Sequence, residues 1–436
     1  MDVFDGTGFA SFPVKLRQDR VQLCILAIPI FQPPIWSIAM RIFFCVTTIL
    51  ALSSICLENN ARAEDAISFK KIQLTADFHA EGSGLGDINH DGHGDAIYGP
   101  YWYEGPDFKK KHEIYPVEKF KPTGYATNFI TFVSDVNGDG WDDVLVNSWP
   151  GKDVSWYENP QNKSAGHWAK HLAHPVVDNE SPQFGDITGD GKPEIVFHTG
   201  GVLGFAGPSE STGTERWPFK ACSAKESWQR YTHGLGFGDV NGDGRKDFLM
   251  SNGWWEQPAK GSDELWTKHA FGFGGGGAQM HTYDVDGDGD NDVITSLAAH
   301  GYGLAWFENV KKDGKIDFVQ HNILSPKADE QSDGVQFSQL HSVQLADVNN
   351  DGLTDIISGK RFWAHGPNGD ADPNGPAVLY WFELQRGKDG SVSYKPHQID
   401  NDSGVGTQFT VGDLNGDKKV DIVIGNKKGG FVFVQQ

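Results

Sequence analysis

The sequence reads as all-β, a seven-bladed β-propeller of four-stranded blades, on the strength of three observations. A nine-residue acidic pattern recurs seven times, a short apolar run follows every copy, and an aromatic-led strand precedes every copy. Each repeat is too short to bury a hydrophobic face alone, so the repeats must stack on one another, and short strands stacked radially make a propeller.

Composition narrows the alternatives. A chain of 436 residues exceeds what one small core can serve, which leaves a large repeat array or several domains. Its 58 acidic residues against 37 basic ones give a formal charge of −21. That excludes a non-specific nucleic-acid binder, which needs a basic face to displace counterions. With 12% aromatic and 38% hydrophobic residues the chain is not disordered, and four cysteines are too few for a disulfide scaffold.

The first element is an address. Residues 21–39 are apolar but broken by Pro29, Pro33 and Pro34; then come Met40-Arg41, an apolar run from Ile42 to Ile55, and Ala61-Arg62-Ala63. A basic start, a short apolar stretch and an A-x-A site make a secretory signal, and the run falls short of the roughly 20 residues of a membrane span. Residues 1–39 therefore read as a mis-assigned upstream extension and 40–63 as a signal peptide cut near Ala63. Residues 64–436 read as a propeller exported to the periplasm or the extracellular space, with no membrane span. Cys24, Cys45 and Cys56 leave with the leader, so Cys222 remains alone and stability must come from packing or metal ions.

The repeats come next. The pattern D-x-[N/D/T]-x-D-x-x-x-[D/E] starts at Asp87, Asp135, Asp186, Asp239, Asp284, Asp347 and Asp413. Strand-like runs follow, such as Val144-Leu145-Val146 and Ile422-Val423-Ile424. Upstream stand Phe69, Phe108, Trp168, Trp217, Trp266, Phe318 and Tyr394, each opening a strand, and in most repeats a third signal such as Trp156-Tyr157-Glu158 lies between. One repeat thus holds four short strands. The chain ends on a third strand, Phe431–Val434, and begins its repeats with an unpartnered one, Phe69–Ile72; the N-terminal strand is expected to complete the last blade and remove the free edge.

Oxygen ligands at positions 1, 3, 5 and 9 of the pattern suit a hard cation, calcium above all. The expected ligands are Asp87, Asn89, Asp91 and Asp95; Asp135, Asn137, Asp139 and Asp143; Asp186, Thr188, Asp190 and Glu194; Asp239, Asn241, Asp243 and Asp247; Asp284, Asp286, Asp288 and Asp292; Asp347, Asn349, Asp351 and Asp355; and Asp413, Asn415, Asp417 and Asp421. An EF-hand needs a bidentate Glu at position 12, where these copies carry residues such as Tyr98, Val146 and Ile424, so that loop is excluded. The pattern resembles the FG-GAP (VCBS-type) repeat family over essentially all of residues 64–436. The resemblance implies a structural calcium loop between the first two strands of each blade, and five to seven ions. The third copy (Thr188, Glu194) and the seventh (Lys418 in place of Gly) depart from the pattern.

If the calcium loops occupy one face, the opposite face carries any ligand site. Six residues before each loop stand Glu81, Phe129, Glu180, His233, Ala278, His341 and Thr407, a ring around the central channel. Connections between second and third strands add Trp254, His300, Lys360, Arg361, Trp363, His365, Asn426 and Lys428, while His281 approaches from the fifth blade. Imidazoles, amines and indoles thus concentrate on one half of one face. Segments such as "LAAHGYGLAWFE" and "GKRFWAHGP" make blades four to seven similar to the propeller domain of aldos-2-ulose dehydratase, whose resemblance implies removal of water from a keto sugar with divalent metal involved.

On that reading His233, His281, His341, Lys360 and His365 are the catalytic or metal-binding candidates, with a further divalent metal such as Zn2+ at the channel mouth. Trp254, His300, Arg361, Trp363, Asn426 and Lys428 are the substrate-contact candidates. A carbohydrate or another extracellular ligand is the expected partner, and the oligomeric state is left open. A non-catalytic glycan- or protein-binding propeller is the alternative, and a polysaccharide lyase relying on Arg361 the second. Over residues 64–436, 54 acidic and 32 basic residues give −22; seven divalent cations would bring this to −8.

Overall fold

The computed structural model describes residues 67–163, 166–208 and 214–436. The leader, its cleavage site and Cys24, Cys45 and Cys56 lie outside the described residues. The rest is all-β: 27 strands and one short turn of 3-10 helix, Gln161–Lys163. No helix among the described residues is long and apolar enough to cross a membrane.

The strands assemble into four-stranded antiparallel meanders, and a single meander shows why the sequence pattern produces them. Ser83–Gly86 pairs with Asp95–Tyr98, that strand with Tyr101–Tyr103, and that one with Lys111–Glu113. The acidic loop is the turn between the first two strands. Its ninth residue opens the second strand, and its carboxylate is buried back into the turn. Asp95 accepts hydrogen bonds from the backbone N–H of Ile88 at 2.9 Å and of Gly105 at 2.8 Å. Asp143, Asp247, Asp292, Asp355 and Asp421 repeat both contacts. Burial pushes the carboxyl groups of Asp95, Asp143, Asp247, Asp292 and Asp355 up to about 7.

Such units follow one another along the chain, and neighbours touch. Glu81 N–H donates to Asn128 O at 2.9 Å, Phe132 stacks on Phe184, and Asn179 N–H donates to Arg230 O at 2.9 Å. Leu235 and Gly236 pair in parallel with Gln279 and Met280, where a Cβ on Gly236 would meet Met280 O at 1.9 Å, so only glycine permits the approach. Gln339 N–H donates to Gly301 O at 2.7 Å, Val405 N–H to Lys360 O at 3.0 Å, and Thr407 N–H to Glu81 O at 2.8 Å, which returns to the first unit. The hydrophobic clusters lie between neighbouring sheets: Ile294 and Trp306 of the fifth unit pack with Val343, Ile356 and Phe382 of the sixth.

The N-terminal strand pairs with the C-terminal one as the sequence implies. Phe69–Thr75 runs antiparallel to Gly429–Gln435, with Phe69 opposite Gln435 and Ile72 opposite Val432. Two details differ from the sequence reading. Residues Ala169–Gly185 form one 17-residue strand that ends the second unit and begins the third, bent at register shifts instead of by a loop. Phe108 does not open a strand: it sits buried at φ +54°, and the strand starts at Lys111.

Candidate functional site

The segments that enter the first strands converge at the end of the molecule away from the acidic loops. His233 lies two residues before Leu235–Gly238, His341 two before Val343–Ala346, Glu180 within Ala169–Gly185, and His300 just after Asp292–Ser296. Backbone strain marks their neighbours. Asn179 (φ +89°) and Gln339 (φ +62°) are non-glycine residues in the left-handed region. Both are over-determined: Asn179 Oδ1 accepts from Ser181 N–H at 2.6 Å, and Gln339 Oε1 from Ala364 N–H at 3.2 Å. Strain held in this way is characteristic of a site built for something other than stability.

Three ligand-type atoms form a near-equilateral triangle. Nε2 of His233 lies 3.2 Å from Nε2 of His341, and each lies 3.3 Å from Oε2 of Glu180. His300 Nε2 approaches His233 Nε2 at 3.0 Å, and ligand atoms of all four residues lie within 4.8 Å of one another. Ligands held at ~2.0–2.1 Å around a tetrahedral zinc-type ion stand about 3.3 Å apart, so the triangle has the dimensions of three occupied corners. A neutral imidazole carries one N–H, yet His233 Nε2 faces three partners at once. This donor set fits a divalent transition metal.

The electrostatics agree. Burial, reinforced by Arg361, pushes His341 down to about 3. Burial and the neighbouring imidazoles push His300 far below the ordinary range, so both rings are neutral, as ligands must be. Burial alone would raise Glu180, but hydrogen bonding from His233 and His341 holds it well below the usual carboxylate range. Arg361 is 1% exposed and lies between two carboxylates, Nη2 at 3.2 Å from Glu81 and Nη1 at 3.7 Å from Glu180. Lys427 Nζ sits 4.3 Å over the Tyr125 ring and donates to Trp363 O at 2.8 Å; burial pushes it down to about 8, against the opposing pull of Glu81.

A second group adjoins the first. Nδ1 of His365 lies 2.7 Å from Oδ1 of Asp370, and that oxygen lies 3.6 Å from Nδ1 of His300. Aromatic rings adjoin this group: Tyr125 lies 6.4 Å from the His365 ring, Trp149 meets Tyr125 edge-on at 4.5 Å and donates through Nε1 to the Tyr231 hydroxyl at 3.2 Å, with Tyr231 46% exposed.

The structure brings His233, His300, His341, His365 and Arg361 together and places the other candidates elsewhere. His281 faces Val343 O at 2.9 Å, in the wall between two first strands, and burial lowers it. Trp254 is not an open stacking face: it is buried on its blade, its ring 4.0 Å from that of His269. Lys360 is buried and tied to Ser338 Oγ at 2.6 Å and to Asp372 O. Asn426 is buried and donates to Ser403 O, and Lys428 pairs with Asp402 at 2.8 Å. Trp363 stacks on Phe362 and donates to Asn374 Oδ1 at 3.2 Å. Glu180 was visible in the ring register. Lys427 stood in the Asn426-Lys427-Lys428 run between a second and a third strand, whereas Asp370, Tyr125 and Tyr231 had no local signal, since only tertiary folding brings them in. Among the acidic loops, three acidic groups come within 4.8 Å of one another in the third (Asp186, Asp190, Glu194) and the fifth (Asp284, Asp286, Asp292).

No curated protein matches the chain in sequence. Among solved structures, a chain of the Photorhabdus luminescens Tc holotoxin pore aligns at 15% identity and TM-score 0.36, over 70% of this chain and 14% of its own length. BBS1N in complex with ARL6DN aligns at 9% identity and TM-score 0.47, over 84% and 96%. Rhamnogalacturonan lyase YesW aligns at 13% identity and TM-score 0.42, over 84% and 72%. A family model for the FG-GAP-like repeat matches residues 135–197, 239–295 and 347–424, each beginning on the first Asp of an acidic loop. The chain is therefore an all-β protein carrying FG-GAP-like repeats.

Proposed function

We propose that the chain is an exported, calcium-loaded β-propeller of seven blades with a divalent-metal centre at one end of its channel, and that it eliminates water from a keto sugar next to the carbonyl. The triangle of His233, His341 and Glu180, with His300 beside it, carries the reading. The cyclic succession of inter-unit contacts supports the seven-bladed arrangement. The repeated oxygen-rich loops support calcium, and the leader-like residues 40–63 support export.

Elimination beside a carbonyl needs help at the carbonyl oxygen and a group that takes the α-proton and hands a proton to the departing hydroxyl, which leaves as water. An ion such as Zn2+ held by Glu180, His233 and His341 would supply Lewis acidity toward that oxygen. His365 then handles the proton at Nε2, which has no protein partner among the described residues, while Asp370 holds Nδ1. Lys427 anchors the turn at Trp363 and Ala364 that carries His365. Tyr125, Trp149 and Tyr231 offer apolar faces with polar edges, suited to a sugar ring. Arg361, buried between Glu81 and Glu180, presents no free guanidinium to a uronate, which disfavours a polysaccharide lyase.

The test is incubation of purified protein with 1,5-anhydrofructose, followed in the ultraviolet for an enone. Turnover is expected to need a zinc-type ion and to vanish in His341→Ala and Glu180→Gln. If no keto sugar gives enone, the elimination reading fails and a glycan-binding module is left, in which His341→Ala weakens binding.

A further inference from the structure

His300 turns one ring nitrogen toward each of two groups. Its Nε2 lies 3.0 Å from His233 Nε2, inside the set completed by Glu180 and His341. Its Nδ1 is buried without a hydrogen-bond partner and faces Asp370, with Oδ1 at 3.6 Å. The same Oδ1 lies 2.7 Å from Nδ1 of His365, and the ligand atoms of His300, His365 and Asp370 all lie within 4.8 Å of one another.

We propose that His300, His365 and Asp370 hold a second divalent transition-metal ion, bridged to the first through both nitrogens of His300 as imidazolate, its ring N–H proton being released to solvent when the second ion binds. The inference rests on the first cluster being a metal centre. Two imidazoles and a carboxylate, with positions left open, are the donor set of a mononuclear metal site that keeps room for water or substrate. A buried nitrogen left without a partner is costly, and an ion here would remove that cost.

The supporting segment is already held in place. Asp370 (φ +59°) and Trp363 (φ +53°) are strained, yet Lys427 fixes the carbonyls of Trp363 and Ala364, and Lys360 fixes Asp372 O. The 2.7 Å between His365 and Asp370 is a hydrogen-bond length. Ligand atoms on a zinc-type ion sit about 3.3 Å apart, so uptake opens this pair by roughly 0.6 Å. His365, whose side chain is 49% exposed, has room to make that shift.

The experiment is a zinc titration of the full chain in excess Ca2+, which keeps the oxygen-rich loops occupied, with bound zinc counted after desalting. Two ions per chain are expected for the wild type. One is expected for Asp370→Asn and for His365→Gln, with affinity for the second ion at least ~100-fold weaker. Loading with Cu2+ should give a spin-coupled pair with loss of the ordinary paramagnetic signal in the wild type, and an uncoupled signal in both variants. His341→Ala touches only the first group and should weaken the ion that Asp370→Asn leaves in place. One ion in the wild type, unaffected by Asp370→Asn, would overturn the proposal and leave an ordinary Asp–His hydrogen bond. It is equally overturned if His341→Ala and Asp370→Asn weaken the same single ion. If no zinc binds at all, the first centre fails with it.

Discussion

Lys418 sits at φ +66°, in the place where the other six acidic loops have glycine at φ between +84° and +97°. A side chain in the left-handed region costs about 1–2 kcal/mol, part of which glycine returns through its freer unfolded chain. Lys418→Gly should therefore raise stability by roughly 0.5–1 kcal/mol in denaturant unfolding, and a loss would mean that the lysine makes contacts stronger than the strain. A second residue ties stability to pH. His198 is fully buried, neither ring nitrogen has a hydrogen-bond partner, and its ring packs against Trp228. Burial pushes it down from 6.5 to about 4, with Asp178 opposing in part. The unfolded chain then binds this proton more readily than the fold, so the contribution is intact above pH 6.5 and is lost as pH falls toward 4. Between pH 7 and pH 5 that amounts to about 2 kcal/mol. His198→Phe should flatten this slope in urea unfolding; an unchanged slope would assign the acid sensitivity to other groups.

The strands repeat one more device. In five units a Trp of the third strand stacks on a His of the fourth, and that His bonds the Glu two residues after the Trp. Trp306 and His321 are 4.3 Å apart, with His321 Nε2 at 2.7 Å from Glu308; Trp102, Trp156, Trp254 and Trp381 head the other four sets. The indoles are buried but the histidines and their carboxylates are partly exposed, so each clasp is a cross-strand pair of the ordinary 0.2–1 kcal/mol kind. A double-mutant cycle of His321→Ala with Glu308→Gln should return a coupling in that range, and a zero coupling would reduce the clasp to packing. The Trp-x-Glu signal was plain in the sequence because it is local to one strand, but its histidine was not, since the partner lies across a turn of variable length. The same rule governs the site. His233 and His341 were legible because they keep a fixed distance from the acidic loop. Asp370 was not, because an irregular excursion between two strands delivers it. Trp254 was misjudged as an open face for a related reason: on a strand, neighbouring indoles point to opposite faces, and burial depends on the adjoining sheet.

Across the whole molecule, the acidic excess has to be reconciled with a compact fold. Residues 64–436 carry 54 acidic against 32 basic residues, and a charge so far from zero repels itself in the folded state. The loops gather much of that charge at one end, with carboxylates that burial already disfavours as free anions. Cations that bind the fold and not the unfolded chain offset both costs. A single ion at a hundred times its dissociation constant contributes about 2.7 kcal/mol. Calcium chelation should therefore lower the thermal midpoint by many degrees, and restored Ca2+ should recover it while Mg2+ at the same concentration recovers less, since it needs a tighter octahedron. The third and fifth loops, where three acids already converge, should hold their ions longest, so Asp286→Asn should remove more of the Ca2+-dependent shift than Asn349→Ala in the sixth loop. A melting curve indifferent to chelator would show that the turns close on their own hydrogen bonds, Asp87 to Asp91 and Gly92 among them, and that the acidity has another cause.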